Sequence, residues 1–158
     1  MARYEFVDHW DIRAPIETAF RYISDPSTYP QWWPVYDRVE TLPGSQSYAV
    51  GGRVRLVVRS VLGYHLVLEG ETVEMKPPTY LRTLAHGQLE GSGVWELRQD
   101  GDMARITWTW IVETHHPVLN RLEWLLKPVF AWSHNDASSK GHAGLKRLLE
   151  GHPAEKGK

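Results

Sequence analysis

The sequence predicts an α+β domain. A curved antiparallel sheet of about seven strands wraps around one long C-terminal helix, with two short helices after the first strand. Three observations carry this. Runs with a two-residue hydrophobic period fill the first 115 residues, apart from one early helical interval. The connections between most of those runs are hairpin-short, which implies antiparallel pairing. The helical period returns only near the end, in the one element long enough to cover the dry face of the sheet.

The first strand is residues 4–12. Tyr4, Phe6, Asp8, Trp10 and Ile12 fall on one side, and Glu5, Val7, His9 and Asp11 on the other. Ala14-Pro15 ends it, and Pro15 suits a helix start. Ile16, Ala19, Phe20 and Ile23 then mark a short amphipathic helix ending near Ser24. Asp25-Pro26-Ser27 opens a second helical piece, and the prolines in Tyr29-Pro30-Gln31-Trp32-Trp33-Pro34 keep it short.

From Val35 to His115 the pattern is β. Val54, Leu56 and Val58 alternate with Arg53, Arg55 and Arg59, and Tyr64, Leu66 and Leu68 alternate with His65 and Glu69. Pro77-Pro78 separates these from a strand at 79–85. Gly87, Gly91 and Gly93 punctuate the strand that carries Trp95 and Leu97, and let the sheet bend. Gln99-Asp100-Gly101-Asp102 is a hairpin turn, after which Ile106, Trp108, Trp110 and Val112 share a face. Pro117 opens a helical region containing Val118, Leu122, Leu125 and Leu126, and Pro128 marks a kink or restart. From Pro128 to Glu150 the inner stripe is Phe130, His134, Ala137, Gly141, Gly144, Leu145 and Leu148. Its middle is thin, which leaves room either for a close neighbour or for a guest.

The chain has 158 residues, enough for one domain, read here as 1–150 with a disordered polar tail at 151–158. Net charge is −1, so there is no general attraction to nucleic acid or an anionic membrane surface. Arg53, Arg55 and Arg59 are balanced by Glu69, Glu71 and Glu74, as facing charges on a solvated sheet. With no cysteine, disulfides and thiolate chemistry are excluded. No apolar run approaches a membrane span, and no signal-peptide core opens the chain, so a cytoplasmic protein without membrane insertion is expected. The adjacent His115-His116 pair would point to opposite faces of a strand and cannot chelate one metal. His-Glu-x-x-His, Gly-x-Ser-x-Gly and phosphate-loop patterns do not occur. Neither metal nor cofactor is expected.

Several segments carry a family resemblance: Ala14-Pro15 and its helix, Asp25-Pro26 through Trp33-Pro34, Gly87 to Leu97, Arg105-Ile106-Thr107-Trp108, and Gly144 to Leu149. Over about residues 3–150 the chain resembles the START-like helix-grip superfamily, in particular its bacterial polyketide cyclase/dehydrase-type branch. The resemblance implies an apolar cavity between sheet and final helix. It does not choose among carriers, aromatase/cyclases and co-chaperones.

Within such a cavity, His134 is the foremost polar candidate, because its stripe position aims the imidazole inward. It could orient a ligand or move a proton, or be a histidine bonded only within the protein. Asp8 shares the dry parity of its strand, so it either has a partner, with His134 one possibility, or lies wet at an open strand end. Tyr36 joins these two as a tentative catalytic group. Trp33, Tyr36, Trp95, Trp108 and Trp110 offer flat apolar faces suited to an aromatic guest, or simply pack the core. Leu56, Leu66, Phe130, Ala137 and Gly141 are placed on the wall with them. Arg82 is either an inward anion binder or a rim residue. The expected function is binding of a small hydrophobic molecule (a polyketide, lipid or aromatic metabolite) by a monomer or homodimer. The alternatives are a cyclase/dehydratase-type enzyme working in the same cavity and a protein-interaction module using the outer sheet face.

Overall fold

A computed structural model describes residues 2–46, 48–59, 63, 65–87, 89–114 and 123–156. The strands are β1 (Ala2–Ile12), β2 (Tyr36–Thr41), β3 (Arg53–Arg59), β4 (His65–Lys76), β5 (Tyr80–Gly87), β6 (Glu90–Asp100) and β7 (Met103–Thr114). Helices α1 (Ile16–Ser24) and α2 (Tyr29–Trp32) follow β1, joined by a 3-10 turn at Pro26–Thr28, and α3 (Glu123–Lys156) closes the chain. All strands form one seven-stranded sheet in the order β1-β7-β6-β5-β4-β3-β2, with every pair antiparallel. This is the predicted helix-grip architecture. Tyr64, His115, His116, Pro117, Val118 and Leu122 lie outside the described residues.

The local signals act as their chemistry suggests. Asp25 accepts hydrogen bonds from the backbone N–H and hydroxyl of Ser27, which starts the 3-10 turn. The first turn of α1 has no cap from its own chain end. Instead the Gln99 side chain on β6 accepts from Ile16 N–H at 2.8 Å and donates to the Ala14 carbonyl at 3.3 Å. That bond fastens the first helix to the sheet. Arg53 pairs with Glu69 across β3 and β4, as expected for a wet face, whereas Arg59 turns to Asp37, which His65 also meets at 2.6 Å.

Two expectations for the last helix change. Pro128 does not restart it, because α3 is continuous from Glu123 to Lys156. Proline six residues into a helix removes one hydrogen bond near an end that lacks several anyway. The helix also takes in Gly151 to Lys156, where the sequence reading began a polar tail.

The core is aromatic. Trp10 and Trp33 are each 1% exposed and lie at its centre, between the inner sheet face, α2 and α3. Trp10 donates its indole N–H to Ser138 at 3.0 Å, and Trp33 donates to the Ala137 carbonyl at 2.7 Å, so both rings are satisfied by α3. The thin stripe exists for this packing. A Cβ on Gly141 would stand 2.5 Å from the Trp33 ring and 2.8 Å from Trp10, and one on Gly144 would stand 1.6 Å from the Trp32 carbonyl oxygen. Gly141 and Gly144 therefore admit close neighbours, not a guest.

Candidate functional site

The cavity lies toward the start of α3, beside the tryptophan cluster. It has a volume of about 200 Å³. Its sheet wall includes Leu56, Leu66, Leu68, Trp95, Trp108 and Trp110; its helix wall is Phe130, Ser133, His134 and Ala137; Tyr29, Trp33 and Tyr36 close a third side. Trp95 and Trp108, cross-strand partners on β6 and β7, stack with centroids 4.9 Å apart and planes within 6°. This aligned pair gives the wall a flat aromatic surface.

His134 stands at one end. Its ring stacks on Phe6 at 4.1 Å with 12° between planes and leans on Trp108 at 5.1 Å. Nε2 lies 2.5 Å from the Asp8 carboxylate, a contact between residues 126 apart in sequence. The side chains are 7% and 19% exposed, so the pair is largely withdrawn from water. Asp8 does not itself line the cavity; it stands behind His134. With Asp8 ionised and accepting from Nε2–H, Nδ1 carries the lone pair and faces no protein partner among the described residues. The pair thus has the form of a base held by a carboxylate.

Tyr36 borders the cavity from β2, but burial pushes its phenol pKa above the ordinary value, so the hydroxyl holds its proton. It can donate a hydrogen bond and is unsuited to act as a base. Tyr29 is shifted the same way, first by burial and then by repulsion from Tyr36 and Asp25, and its hydroxyl donates to the Ile23 carbonyl at 2.6 Å.

The structure thus brings Trp33, Tyr36, Leu56, Leu66, Trp95, Trp108, Trp110, Phe130, His134 and Ala137 to one cavity and leaves three predicted residues, Asp8, Gly141 and Arg82, outside its lining. Gly141 packs against tryptophan rings instead. Arg82 is exposed: on β5 the inward parity belongs to Leu81, Thr83 and Ala85, because Leu81 pairs with Trp95. Sequence reasoning missed Phe6, Tyr29, Thr72 and Thr83. Phe6 was on the dry parity of β1, and Thr72 shares parity with Leu66 and Leu68, so alternation alone could have found those two. Among the described residues no three His, Asp or Glu side chains gather as a metal site. None of the described helices is long and apolar enough to cross a membrane.

A family model described as "Polyketide cyclase / dehydrase and lipid transport" matches residues 4–150. The chain belongs to that family. This member of the family also shares its fold with solved structures of low identity. A Thermus thermophilus protein, TTHA0849, superposes with a TM-score of 0.76 at 18% identity, over 91% of this chain and 95% of that one. A START superfamily protein from Mycobacterium smegmatis gives 0.73 at 17%, over 92% and 97%. The di-domain ARO/CYC BexL of the BE-7585A biosynthetic pathway gives 0.71 at 16%, over 94% of this chain and 50% of that one. None of the curated proteins compared matches this chain. Family and fold both fit a ligand-binding helix-grip protein.

Proposed function

We propose that the chain binds a small planar hydrophobic molecule in this cavity and that His134, held by Asp8, orients it. The observation that carries the reading is a mainly apolar cavity with a flat aromatic wall and one carboxylate-held imidazole at its end. Its volume, about 200 Å³, is nearer the ~150 Å³ that holds one benzene ring than the 300–1,000 Å³ of drug-sized sites. That favours an aromatic metabolite of one or two rings over a long lipid or an extended polyketide chain.

The Asp8–His134 contact also supports a second reading: proton transfer to or from a bound substrate, as in a cyclase or dehydratase. Proximity and orientation in the cavity would supply the rest of such catalysis. The interaction-module reading has less support, because the outer sheet face carries ion pairs such as Arg53–Glu69 and Arg105–Asp11.

Native mass spectrometry of the purified protein, with gentle release of any copurified molecule, tests the binding reading directly. On that reading His134→Ala weakens the released compound's affinity by about three- to tenfold, the loss of one net hydrogen bond. On the enzyme reading the same variant lowers turnover of a substrate by 10²-fold or more, and Asp8→Asn lowers turnover while sparing affinity. Unchanged affinity and unchanged turnover in His134→Ala would remove the histidine from both.

A further inference from the structure

The inner face of the sheet carries one row of paired residues that runs from the His134 end into the cavity. In register across five strands it reads Phe6, Trp110, Gly93, Thr83 and Thr72. At Gly93 the row carries no side chain, and Thr83, Trp108 and Trp110 close in on the place one would take. Thr83 Oγ1 lies 3.1 Å, and the indole nitrogen of Trp108 3.4 Å, from the point where a Gly93 side chain would begin. Trp108 is 8% exposed and lines the cavity, yet its N–H has no hydrogen-bond partner among the described residues. The Thr83 hydroxyl has none there either. Trp10, Trp32 and Trp33 each donate to the protein, whereas Trp108 and Trp95, the stacked pair on the cavity wall, have no such partner among the described residues. An indole N–H that faces a cavity is free to donate to a guest.

We infer that the notch formed by Trp108 Nε1–H and the Thr83 hydroxyl beside Gly93 is a subsite for a ligand carbonyl or enolate oxygen. The inference rests on the reading of the cavity as a ligand site and names its substrate class. Both groups of the notch can donate, and an sp² oxygen can accept from both. His134, whose ring centroid is 5.1 Å from that of Trp108, borders the same part of the cavity, and its Nδ1 can accept from a ligand hydroxyl.

Calorimetric titration with tetralin, 1-tetralone and 6-hydroxy-1-tetralone tests this in wild type and in Thr83→Val, which removes the hydroxyl and keeps the shape. The expected result is a three- to tenfold loss of 1-tetralone affinity in the variant, with tetralin changed less than about twofold. In wild type the Trp108 indole N–H proton resonance, assigned with Trp108→Phe, shifts downfield with 1-tetralone and not with tetralin. An equal change for both compounds, or an unmoved indole resonance at saturation with 1-tetralone, overturns the subsite. Failure of all three compounds to bind overturns the cavity reading itself.

Discussion

At the scale of single residues the two enclosed phenols have a consequence in pH. Burial raises the pKa of both Tyr29 and Tyr36 above the ordinary value near 10. In the unfolded chain they ionise from about pH 10, while in the folded protein they do not, so the folded state binds more protons there. Stability is therefore full below about pH 10 and falls as pH rises toward the folded-state values. Denaturation titrated between pH 8 and 12 should show this fall, and Tyr36→Phe should flatten it. A profile for Tyr36→Phe as steep as that of wild type would contradict the assignment. The Asp8 carboxyl shows what was readable in the sequence at this scale. Alternation put it on the dry face and required a partner or an opening to water. His134 was one possible partner, and choosing it over water needed the way α3 crosses β1. The two readings of Arg82 separate for a related reason: alternation gives two faces, and only the pairing of Leu81 with Trp95 tells which is inside, leaving Arg82 exposed.

At the scale of elements, α3 is shaped by its neighbours. Helix propensity alone would favour alanine over glycine at position 144 by about 1 kcal/mol. The Trp32 carbonyl reverses that preference, since a methyl group there would overlap the oxygen and push α2 off α3. Gly144→Ala should therefore lower stability by about 2 kcal/mol, and the thermal midpoint by roughly 4–8 °C. Calorimetric melting measures this; a midpoint at or above that of wild type would show that the two helices can separate freely. The thin stripe was legible in the sequence, and so was its meaning as spare room. What could not be read was the claimant. Tryptophans at 10, 32 and 33 are separated from the glycines by more than a hundred positions, and nothing local ties them together. The short helices and the cap at Asp25 were readable, because proline and a side-chain oxygen act within a few residues.

At the scale of the whole molecule, the order β1-β7-β6-β5-β4-β3-β2 puts the first two strands at opposite edges of the sheet, with the short helices spanning between them. Hairpin succession made the antiparallel pairing of β2 through β7 legible, whereas the pairing of β1 with β7 joins strands about a hundred positions apart and carries no local signal. The cavity needs this curvature, and so do Tyr29 and Trp33, which α2 and its end deliver to the third side beside Tyr36 of β2. A ligand that binds only the closed fold stabilises it by mass action, by about 2.7 kcal/mol at a concentration one hundred times its dissociation constant. For a chain of this length that corresponds to a rise of roughly 5–11 °C in the thermal midpoint. Thermal scans across a concentration series of the bicyclic probes should show this rise growing with the logarithm of concentration. A midpoint indifferent to a compound that binds in titration would place that compound elsewhere on the protein.

The tryptophan cluster also gives the protein an optical property of its own. Trp10 lies 5.2 Å from Trp95 with 70° between planes, and 5.3 Å from Trp33 with 72°. Indoles this close and this strongly crossed share their electronic excitations, so the folded chain carries a coupled chromophore whose circular dichroism differs from that of separate tryptophans. Trp33, Trp95 and Trp108 belong both to that chromophore and to the cavity wall. A guest stacked on the wall alters the light the cluster absorbs and emits, so occupancy can be followed without any label.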